Sequence, residues 1–339
     1  MAEHFDIYKV ITDKIIEGLK NGIIPWQRPW ENPYNSDALF VSHRNGQGYS
    51  FLNCMLLMIQ GGKPGEYLTL KQANDEGGSI IAGRHSKLIT FWTMAERHFP
   101  VKDEITGEPV IDPATGKQKY RKEEYPMLKW YTVFHISDCK NVKAKYPIKP
   151  VKPVNHRHTP IQRAELIKTN YLQNEGIKLT EDNTPKAYYS PAGDSIHLPL
   201  RKLFKHNEEY YSTCFHEMTH STGAEKRLNR DLSGRFGSQS YAREELVAEI
   251  GAAFLIHHTG INTQKVFDNS IAYIQSWIKA LKNDTKLIII ASNRAEAAAK
   301  YILKASPSRK HRLIAHTRKS SRMIRKNTHV HTVKQLSLF

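Results

Sequence analysis

The sequence predicts a two-domain α+β protein, with an N-terminal domain of mixed α/β structure and a C-terminal domain that is mainly helical with a small sheet. The chain has 339 residues, of which 40% are hydrophobic, and this is enough to form two packed cores. Helical and strand patterns both occur before residue 147, whereas helical patterns dominate after residue 160. A Lys-rich stretch containing four prolines lies between these regions, as expected of an extended linker.

The distribution of charge supports the same division of the chain. The formal net charge is +17, but residues 1–139 hold 16 Lys and Arg against 17 Asp and Glu, and residues 164–305 hold 18 against 16. Residues 140–163 carry seven basic residues and residues 306–339 carry nine, with no acidic residue in either segment. Such segments attract polyanions, most often nucleic acid. We therefore predict domains at 1–146 and 161–305, a basic linker at 147–160 and a disordered basic tail at 306–339.

Several classes of protein are excluded by composition and pattern. No run of about 18 apolar residues is present, and the first residues lack the pattern of a signal peptide, so we expect a cytoplasmic protein without a membrane partner. Cys54, Cys139 and Cys214 are far apart in sequence, which excludes a disulfide framework and a cysteine-rich zinc site. A bound metal would therefore need histidine and carboxylate ligands.

The N-terminal domain has recognisable helix and strand patterns. Apolar residues from Phe5 to Leu19 recur every three or four positions, which predicts an amphipathic helix, and residues 49–60 predict a second helix. Residues 79–82 and 88–93 predict a hairpin around a basic turn. The charged segment 101–124 predicts an exposed hairpin, inserted before a strand at 130–136.

Rings and basic side chains in this domain could bind nucleic acid, because bases stack on aromatic rings and phosphates pair with cations. We expect rings on strands, such as Trp92 and Trp130, to be buried in the core, whereas Trp26 and Trp30 lie in a proline-rich turn that suits stacking. The candidate DNA-binding residues are Trp26, Arg28, Trp30, Arg44, Tyr49, Arg84 and Lys87.

The strongest chemical signal is the motif H-E-x-x-H, formed by His216, Glu217 and His220. Asn207 could cap a helix that continues without a breaker to the second histidine. Two histidines one turn apart on one face can bind a single Zn²⁺, and the intervening glutamate can accept a proton from a metal-activated water. We therefore predict Glu217 as the catalytic residue.

A third metal ligand must come from elsewhere in the chain. Lys226 occupies the position at which one class of zinc peptidases has its third histidine, so a glutamate is the alternative. Residues 241–257 predict a helix in which Glu245 and Glu249 share a face. We predict that Glu245 is the third ligand and that Glu249 accepts the N–H of a ligating histidine. The alternative is Glu249 as the ligand, and Glu244 is expected on a solvated helix surface.

Several short motifs accompany these residues: HEMTHSTG at 216–223, RLNR at 227–230, GRFG at 234–237, YAREELVAE at 241–249, IPWQRPW at 24–30, the region around Tyr49, and Val133 and Phe134. Together they resemble the ArdC antirestriction family of conjugative plasmids, and the resemblance covers residues 5–305. Two positions depart from the family pattern, Ala224 and His135. The resemblance implies an N-terminal single-stranded-DNA-binding domain, related to that of plasmid primases, and a C-terminal zincin-like metallopeptidase domain. It also implies a protein that shields incoming plasmid DNA from host restriction.

Two functions fit the sequence. The first is an antirestriction protein that binds single-stranded DNA, and the second is an active zinc metallopeptidase for which DNA is only a tether. Residues 188–190 and 194–198 could form the edge strand that a peptide or protein substrate would need. Candidate donors to a developing oxyanion are Tyr241, His197 and His257. The metal is expected to be Zn²⁺, with Mn²⁺ as the alternative.

The tail ends in a short apolar motif. Its last five residues resemble the segment by which bacterial polymerases and repair proteins bind the sliding clamp. This resemblance predicts the clamp as a partner through Gln335, Leu336, Ser337, Leu338 and Phe339.

Overall fold

The computed structural model describes residues 6–27, 39–103, 106–147, 159–235, 238–261 and 271–305. Its helices and strands confirm the predicted α+β class. The helices are α1 (Ile7–Lys20), α2 (Phe51–Ile59), α3 (Leu70–Asp75), α4 (Pro160–Glu175), α5 (Asn207–Ser221), α6 (Gln239–Thr259), α7 (Ile271–Asn283) and α8 (Leu287–Ala305). The strands are β1 (Phe40–Ser42), β2 (Gly65–Leu68), β3 (Ser79–Ile80), β4 (Lys87–Pro100), β5 (Tyr120–His135), β6 (Cys139–Lys140), β7 (Lys178–Asp182), β8 (Tyr188–Ser190) and β9 (Ser195–Pro199).

The described chain forms two compact units that are not contiguous in sequence. The first unit holds α1 to α3, β1 to β6 and residues 271–293, which include α7. The second unit holds α4 to α6, β7 to β9 and residues 294–305. The sequence predicts instead that all residues from 161 to 305 belong to the C-terminal domain. Helical periodicity reveals the apolar face of α7, but it does not reveal which core covers that face.

In the first unit, α1 has the amphipathic pattern that the sequence predicts. Asp6 caps its first turn by accepting the N–H of Tyr8, and Ile11, Ile15 and Leu19 are buried. The hydroxyl of Thr12 donates to the carbonyl of Thr285 at 2.7 Å, which ties α1 to the chain segment that follows α7. The apolar spacing of the sequence therefore corresponds to the face that α1 buries.

The main sheet of the first unit has the order β1-β2-β5-β4, with β1 and β2 parallel and the other pairs antiparallel. Strands β4 and β5 pair over their whole length, from Lys87↔Val133 to Pro100↔Tyr120. The hairpin predicted between residues 79–82 and 88–93 is wrong, because β3 pairs with β6 and β4 pairs with β5. The segment predicted as an inserted hairpin supplies the connection between these two long strands and the start of β5.

The outer edge of β4 is covered by two side chains of the neighbouring helix. The amide of Asn53 accepts the N–H of Thr90 and donates to its carbonyl, both at 2.8 Å. Gln60 makes the equivalent pair of bonds with Leu88, at 2.8 and 3.0 Å. These side chains replace a fifth strand, because they satisfy backbone groups that an edge strand leaves unpaired.

In the second unit, a three-stranded sheet with the order β7-β9-β8 lies beside helix α5, which packs in turn against helix α6. The two helices approach each other closely where Gly251 of α6 meets Thr219 of α5. A Cβ atom built on Gly251 would lie 2.6 Å from the Thr219 methyl group, which is closer than van der Waals contact allows. The missing side chain therefore allows these helices to lie close together.

Among the described residues, we find no helix that is both long enough and apolar enough to cross a membrane.

Candidate metal centre

Helix α5 positions the two histidines of the predicted motif. It begins at Asn207, one residue after its N-cap His206, so the predicted cap is wrong by one position. The Asn207 side chain instead accepts a hydrogen bond from Arg201. His216 and His220 lie one turn apart, and their Nε2 atoms are 3.1 Å from each other. The helical spacing thus brings the two ring nitrogens to one point at the helix surface.

Helix α6 brings a carboxylate to the same point. The Oε2 atom of Glu245 is 3.5 Å from Nε2 of His216, and its Oε1 atom is 3.6 Å from Nε2 of His220. Among the described residues, these three form the group of His, Cys, Asp and Glu side chains that could hold a metal ion, with ligand atoms within 4.8 Å of one another. Ligands at about 2.0–2.1 Å from a zinc ion lie about 3.3–3.4 Å apart in a tetrahedron. The donor set and its spacing therefore fit a divalent cation.

A buried carboxylate orients one of these histidines. Oε1 of Glu244 lies 3.1 Å from Nδ1 of His220, and the same carboxylate accepts two hydrogen bonds from Arg230, at 2.7 and 2.9 Å. Arg230 also donates to the Thr222 hydroxyl and to the carbonyl of Thr219. Because Nδ1–H of a neutral His220 donates to Glu244, its Nε2 keeps a free lone pair that faces Glu245.

The role predicted for Glu249 is therefore filled at His220 by Glu244. Glu244, which was expected on a solvated surface, is only 8% exposed. Glu249 acts on the other histidine, because its negative charge raises the pKa of His216. Helical spacing alone does not identify Glu244, because its partner Arg230 lies in a loop. The sequence signal for this contact is the RLNR motif at 227–230, which contains Arg230.

Glu217 lines a cavity of about 440 Å³ together with the three candidate ligands. It is buried and accepts a hydrogen bond from the backbone of Tyr189 on β8. Burial raises the pKa of this carboxyl, and the neighbouring His216 and His220 partly oppose the shift. A buried carboxylate with a raised pKa beside a cavity is suited to exchanging protons with a molecule bound there.

The electrostatics of the ligands reflect the crowding of negative charge. Burial lowers the pKa of His216, but the hydrogen bond to Glu245 and the charge of Glu249 outweigh it and raise the pKa to about 9. Burial raises the pKa of Glu245, but its contacts with both histidines outweigh it and lower the pKa. Without a metal, the site therefore balances carboxylate charge with a proton on a histidine.

The cavity also has an open strand edge and a phenol in its wall. Strand β8 lies at an edge of its sheet, and Tyr188 and Tyr189 line the cavity. Tyr241 lines it as well and is hydrogen-bonded to Glu245. The other two predicted oxyanion donors, His197 and His257, are not among the residues that line the cavity. His197 contacts Lys186 and Asp182 instead. Burial lowers the pKa of His257 to about 4.

Two expectations about aromatic residues of the first unit are wrong. Trp26, predicted to stack on DNA bases, is 3% exposed and packs edge-on against Trp277, with ring centroids 6.1 Å apart. Its ring is not accessible to a base. Conversely, Trp92 and Trp130, expected in the core, are 45% and 43% exposed. Strand β4 extends well beyond the part of its edge that α2 covers, so rings on a long strand are not buried by default.

The remaining DNA-binding candidates lie in different environments. Arg44 is exposed, and Tyr49 is half-buried with its ring edge-on to Tyr67. Arg84 is exposed and lies 3.5 Å from Asp138, and Lys87 donates to the carbonyl of Gln60 at 2.8 Å. Outside the described residues lie Arg28, Trp30, most of the linker 147–160, and the tail with its clamp-like motif at 335–339.

The two halves of the chain match separate protein families. A family described as the N-terminal domain of anti-restriction factor ArdC matches residues 5–134. A family described as zincin-like metallopeptidase matches residues 168–294, which include all three candidate ligands.

Several proteins are similar to this chain over most of its length. Two DNA primases TraC of Escherichia coli are 33% and 34% identical over 87% of the chain, which spans only 27% and 20% of their lengths. The uncharacterized protein y4eC of Sinorhizobium fredii is 28% identical over 88% of the chain and 91% of its own length.

Solved structures show the same similarity. The metal-free crystal structure of the antirestriction protein ArdC from plasmid R388 is 31% identical in sequence, with a TM-score of 0.63. The match covers 89% of this chain and 98% of the chain of that protein. The Mn(II)-bound structure of the same protein is 29% identical, with a TM-score of 0.63. This match covers 90% of the present chain and all of the chain of that protein.

Proposed function

The chain belongs to the family of ArdC antirestriction proteins, and from this membership we propose that it binds single-stranded DNA and protects incoming plasmid DNA from host restriction. We further propose that its second unit holds a divalent cation on His216, His220 and Glu245. The protein would act in the cytoplasm during conjugation, where transferred DNA meets restriction enzymes.

The convergence of three side chains carries the proposal of a metal site. The distances of 3.1 to 3.6 Å among the Nε2 atoms of the two histidines and the two carboxylate oxygens of Glu245 suit a cation between them, and Glu244 holds His220 in the required tautomer. The manganese named for the R388 protein supports a divalent cation. Two imidazoles and one carboxylate suit both Zn²⁺ and Mn²⁺, and we propose zinc as the resident ion with manganese as the alternative.

A cation at this site would act as a Lewis acid and would make water a stronger acid. Glu217 is next to the ligand His216 and faces the cavity, so its carboxylate would accept a proton from water and return it to a leaving group. Tyr241 would donate a hydrogen bond to negative charge that develops on a bound carbonyl. These groups together match the requirements of peptide hydrolysis.

Metallopeptidase activity is therefore the second candidate function, with DNA as a tether. The specific observation in its favour is the edge strand β8, which borders the cavity and could pair with an extended peptide. If the protein has this activity, the wild type hydrolyses a peptide or protein, and the Glu217→Gln variant does not.

A single set of measurements distinguishes the two functions. Wild type, His216→Ala, Glu245→Ala and Glu217→Gln would be compared for bound metal, for gel shifts of single- and double-stranded DNA, and for protection against restriction in a conjugation assay. The antirestriction proposal expects preferential binding of single strands, and protection that needs this binding.

We expect His216→Ala and Glu245→Ala to lose bound metal and Glu217→Gln to retain it. Full metal occupancy after Glu245→Ala would transfer the ligand role to Glu249. Absence of protection by a wild-type protein that hydrolyses peptides would favour the peptidase alternative.

A further inference from the structure

The long hairpin of β4 and β5 has two faces of opposite charge, and both carry exposed aromatic rings. Side chains alternate between the faces along each strand, and residues paired across an antiparallel ladder lie on the same face. The register therefore assigns every residue of the hairpin to one face. Phe91, Ala95 and Arg97 share a face with their partners Lys129, Tyr125 and Glu123. Trp92, Met94 and Glu96 share the other with Leu128, Pro126 and Glu124.

The face that includes Phe91, which we call the basic face, carries three cations and one carboxylate between Phe91 and the end of β4. The cations are Lys129, Arg97 and Arg121, and Glu123 pairs with Arg121. The other, which we call the acidic face, carries Glu96 and Glu124 against one lysine, Lys122, which pairs with Glu96 at 2.5 Å. The two faces thus differ in charge although both carry exposed aromatic side chains.

Aromatic rings alternate with the cations along the basic face. Phe91 is 39% exposed, and its ring packs edge-on against Tyr131, with centroids 5.2 Å apart. Tyr125 is 42% exposed and lies about 14 Å further along the sheet, at about 3.4 Å per residue. At the far end the guanidinium of Arg97 lies 5.3 Å from the centroid of the Phe99 ring.

The base of the hairpin adds two residues that the sequence predicts as DNA-binding candidates. Burial raises the pKa of Tyr131, and the positive charge of Arg44 lowers it, which indicates that Arg44 lies near this phenol. Burial raises the pKa of Tyr49, and the phenol of Tyr131 raises it further, so the two phenols are close. An exposed cation, Arg44, therefore lies near the base of this face, in the loop that follows β1.

We propose that the basic face of the hairpin is the surface on which single-stranded nucleic acid lies, with bases stacked on Phe91 and Tyr125 and phosphates bound by Lys129, Arg97 and Arg44. This inference rests on the proposed binding of single-stranded DNA and assigns that activity to particular residues. Alternating rings and cations are the arrangement that binds single strands without sequence preference, because every base has a face that can stack. The negative charge of the acidic face would repel phosphates.

The acidic face supplies a matched control, because its exposed tryptophans are as accessible as the rings of the basic face. We would compare two double variants and one single variant. The first double variant combines Phe91→Leu and Tyr125→Leu on the basic face, and the second combines Trp92→Leu and Trp130→Leu on the acidic face. The single variant is Lys129→Gln. Binding of a labelled oligothymidylate of about 20 nucleotides would be measured by fluorescence polarisation, since one such domain covers roughly 4–16 nucleotides. Circular dichroism and thermal melting would verify that each variant folds.

The basic-face double variant should lose affinity by at least about fivefold for each ring removed, whereas the acidic-face double variant should keep its affinity within about twofold of wild type. Lys129→Gln should reduce the slope of log Kd against log salt by about 0.7, as expected when one phosphate is no longer neutralised. Unchanged binding by a folded basic-face variant, or an equal loss by the acidic-face pair, would overturn the inference and leave DNA binding itself intact. A wild-type protein that binds no oligonucleotide would instead refute the proposed function, and this inference with it.

Discussion

Adjacent glutamates have different roles at the residue scale. Glu244 and Glu245 follow each other on α6, and successive residues on an α-helix point about 100° apart. Glu245 therefore faces both histidine Nε2 atoms, while Glu244 reaches Nδ1 of His220 and the guanidinium of Arg230. One carboxylate can bind a cation directly while its neighbour orients another ligand.

Replacing Glu244 by glutamine should weaken metal binding without abolishing it. The amide removes the charged acceptor that holds His220, and loss of such partners typically lowers metal affinity about 10–100-fold. Isothermal titration with Zn²⁺ and Mn²⁺ would measure the change, with Glu249→Gln as the matched control. A control variant that loses more affinity than Glu244→Gln would return the orienting role to Glu249.

Metal affinity should increase with pH up to about pH 9. The pKa of His216 is raised from 6.5 to about 9, so the metal-free protein keeps a proton on this ring at neutral pH. A cation must displace that proton, so affinity falls by up to about tenfold per pH unit below the raised pKa and becomes independent of this group above it. Titrations across this range would test the prediction.

Removing the charge of Glu249 should shift this pH dependence. That charge helps to raise the pKa of His216, so Glu249→Gln should reach its maximal affinity at a lower pH than wild type. An affinity that is already constant above pH 6.5 in wild type would contradict the raised pKa.

At the scale of elements, the close approach of α5 and α6 brings together the candidate metal ligands. Gly251 permits the contact with Thr219, which lies one position before His220, and Gly251 is six positions after Glu245. The distance between the two helices therefore controls the distance between the ligands that they carry.

Gly251→Ala should therefore destabilise the protein and weaken its metal site. The added methyl group would lie 2.6 Å from a Thr219 side-chain atom, and overpacking of this kind costs about 1–3 kcal/mol. Urea denaturation and metal titration would measure both effects. The matched control is Gly18→Ala in α1, where the nearest atom is 3.4 Å away and the change should be neutral or stabilising. Equal stability of the two variants would contradict the role of the helix contact.

The covered edge of β4 makes a separate prediction for the first unit. Asn53→Leu would leave the N–H and carbonyl of Thr90 without their partners, and each buried group left unpaired costs roughly 1–3 kcal/mol. Gln60→Leu should cost less, because this side chain is only half-buried and water can replace it. Urea denaturation would compare the two variants. A larger loss of stability for Gln60→Leu would contradict the argument from burial.

At the scale of the whole molecule, the excess of positive charge is concentrated in two segments of the sequence. The basic segments 140–163 and 306–339 hold 16 of the 50 Lys and Arg residues and no acidic residue. We expect the charges of these segments to contribute to affinity for DNA through counterion release. They would supply attraction, while the rings of the folded domain would supply the preference for single strands.

Deleting residues 306–339 should therefore weaken DNA binding and reduce its dependence on salt, while the preference for single over double strands persists. The slope of log Kd against log salt should decrease by about 0.7 for each phosphate that the shortened protein no longer neutralises. Gel shifts at several salt concentrations would measure it for both forms of DNA. An unchanged slope would show that the nine basic residues of this segment do not bind DNA.

The sequence by itself determined the features that depend on local spacing. The pairing of His216 and His220 on α5, the shared face of Glu245 and Glu249 on α6 and the amphipathic α1 all follow from the helical repeat, which places residues three or four positions apart on one face. The family was also identified from sequence, because its motifs are short and contiguous.

Only the tertiary structure decided which partners meet across long separations in the chain. The pairing of β3 with β6, the contact of Glu244 with Arg230, the burial of Trp26 and the membership of α7 in the first unit each depend on distant residues. Strand periodicity specifies the two faces of a strand, but neither its neighbour nor the length that the core covers. For this reason Trp92 and Trp130 were expected in the core, although the hairpin exposes them to solvent.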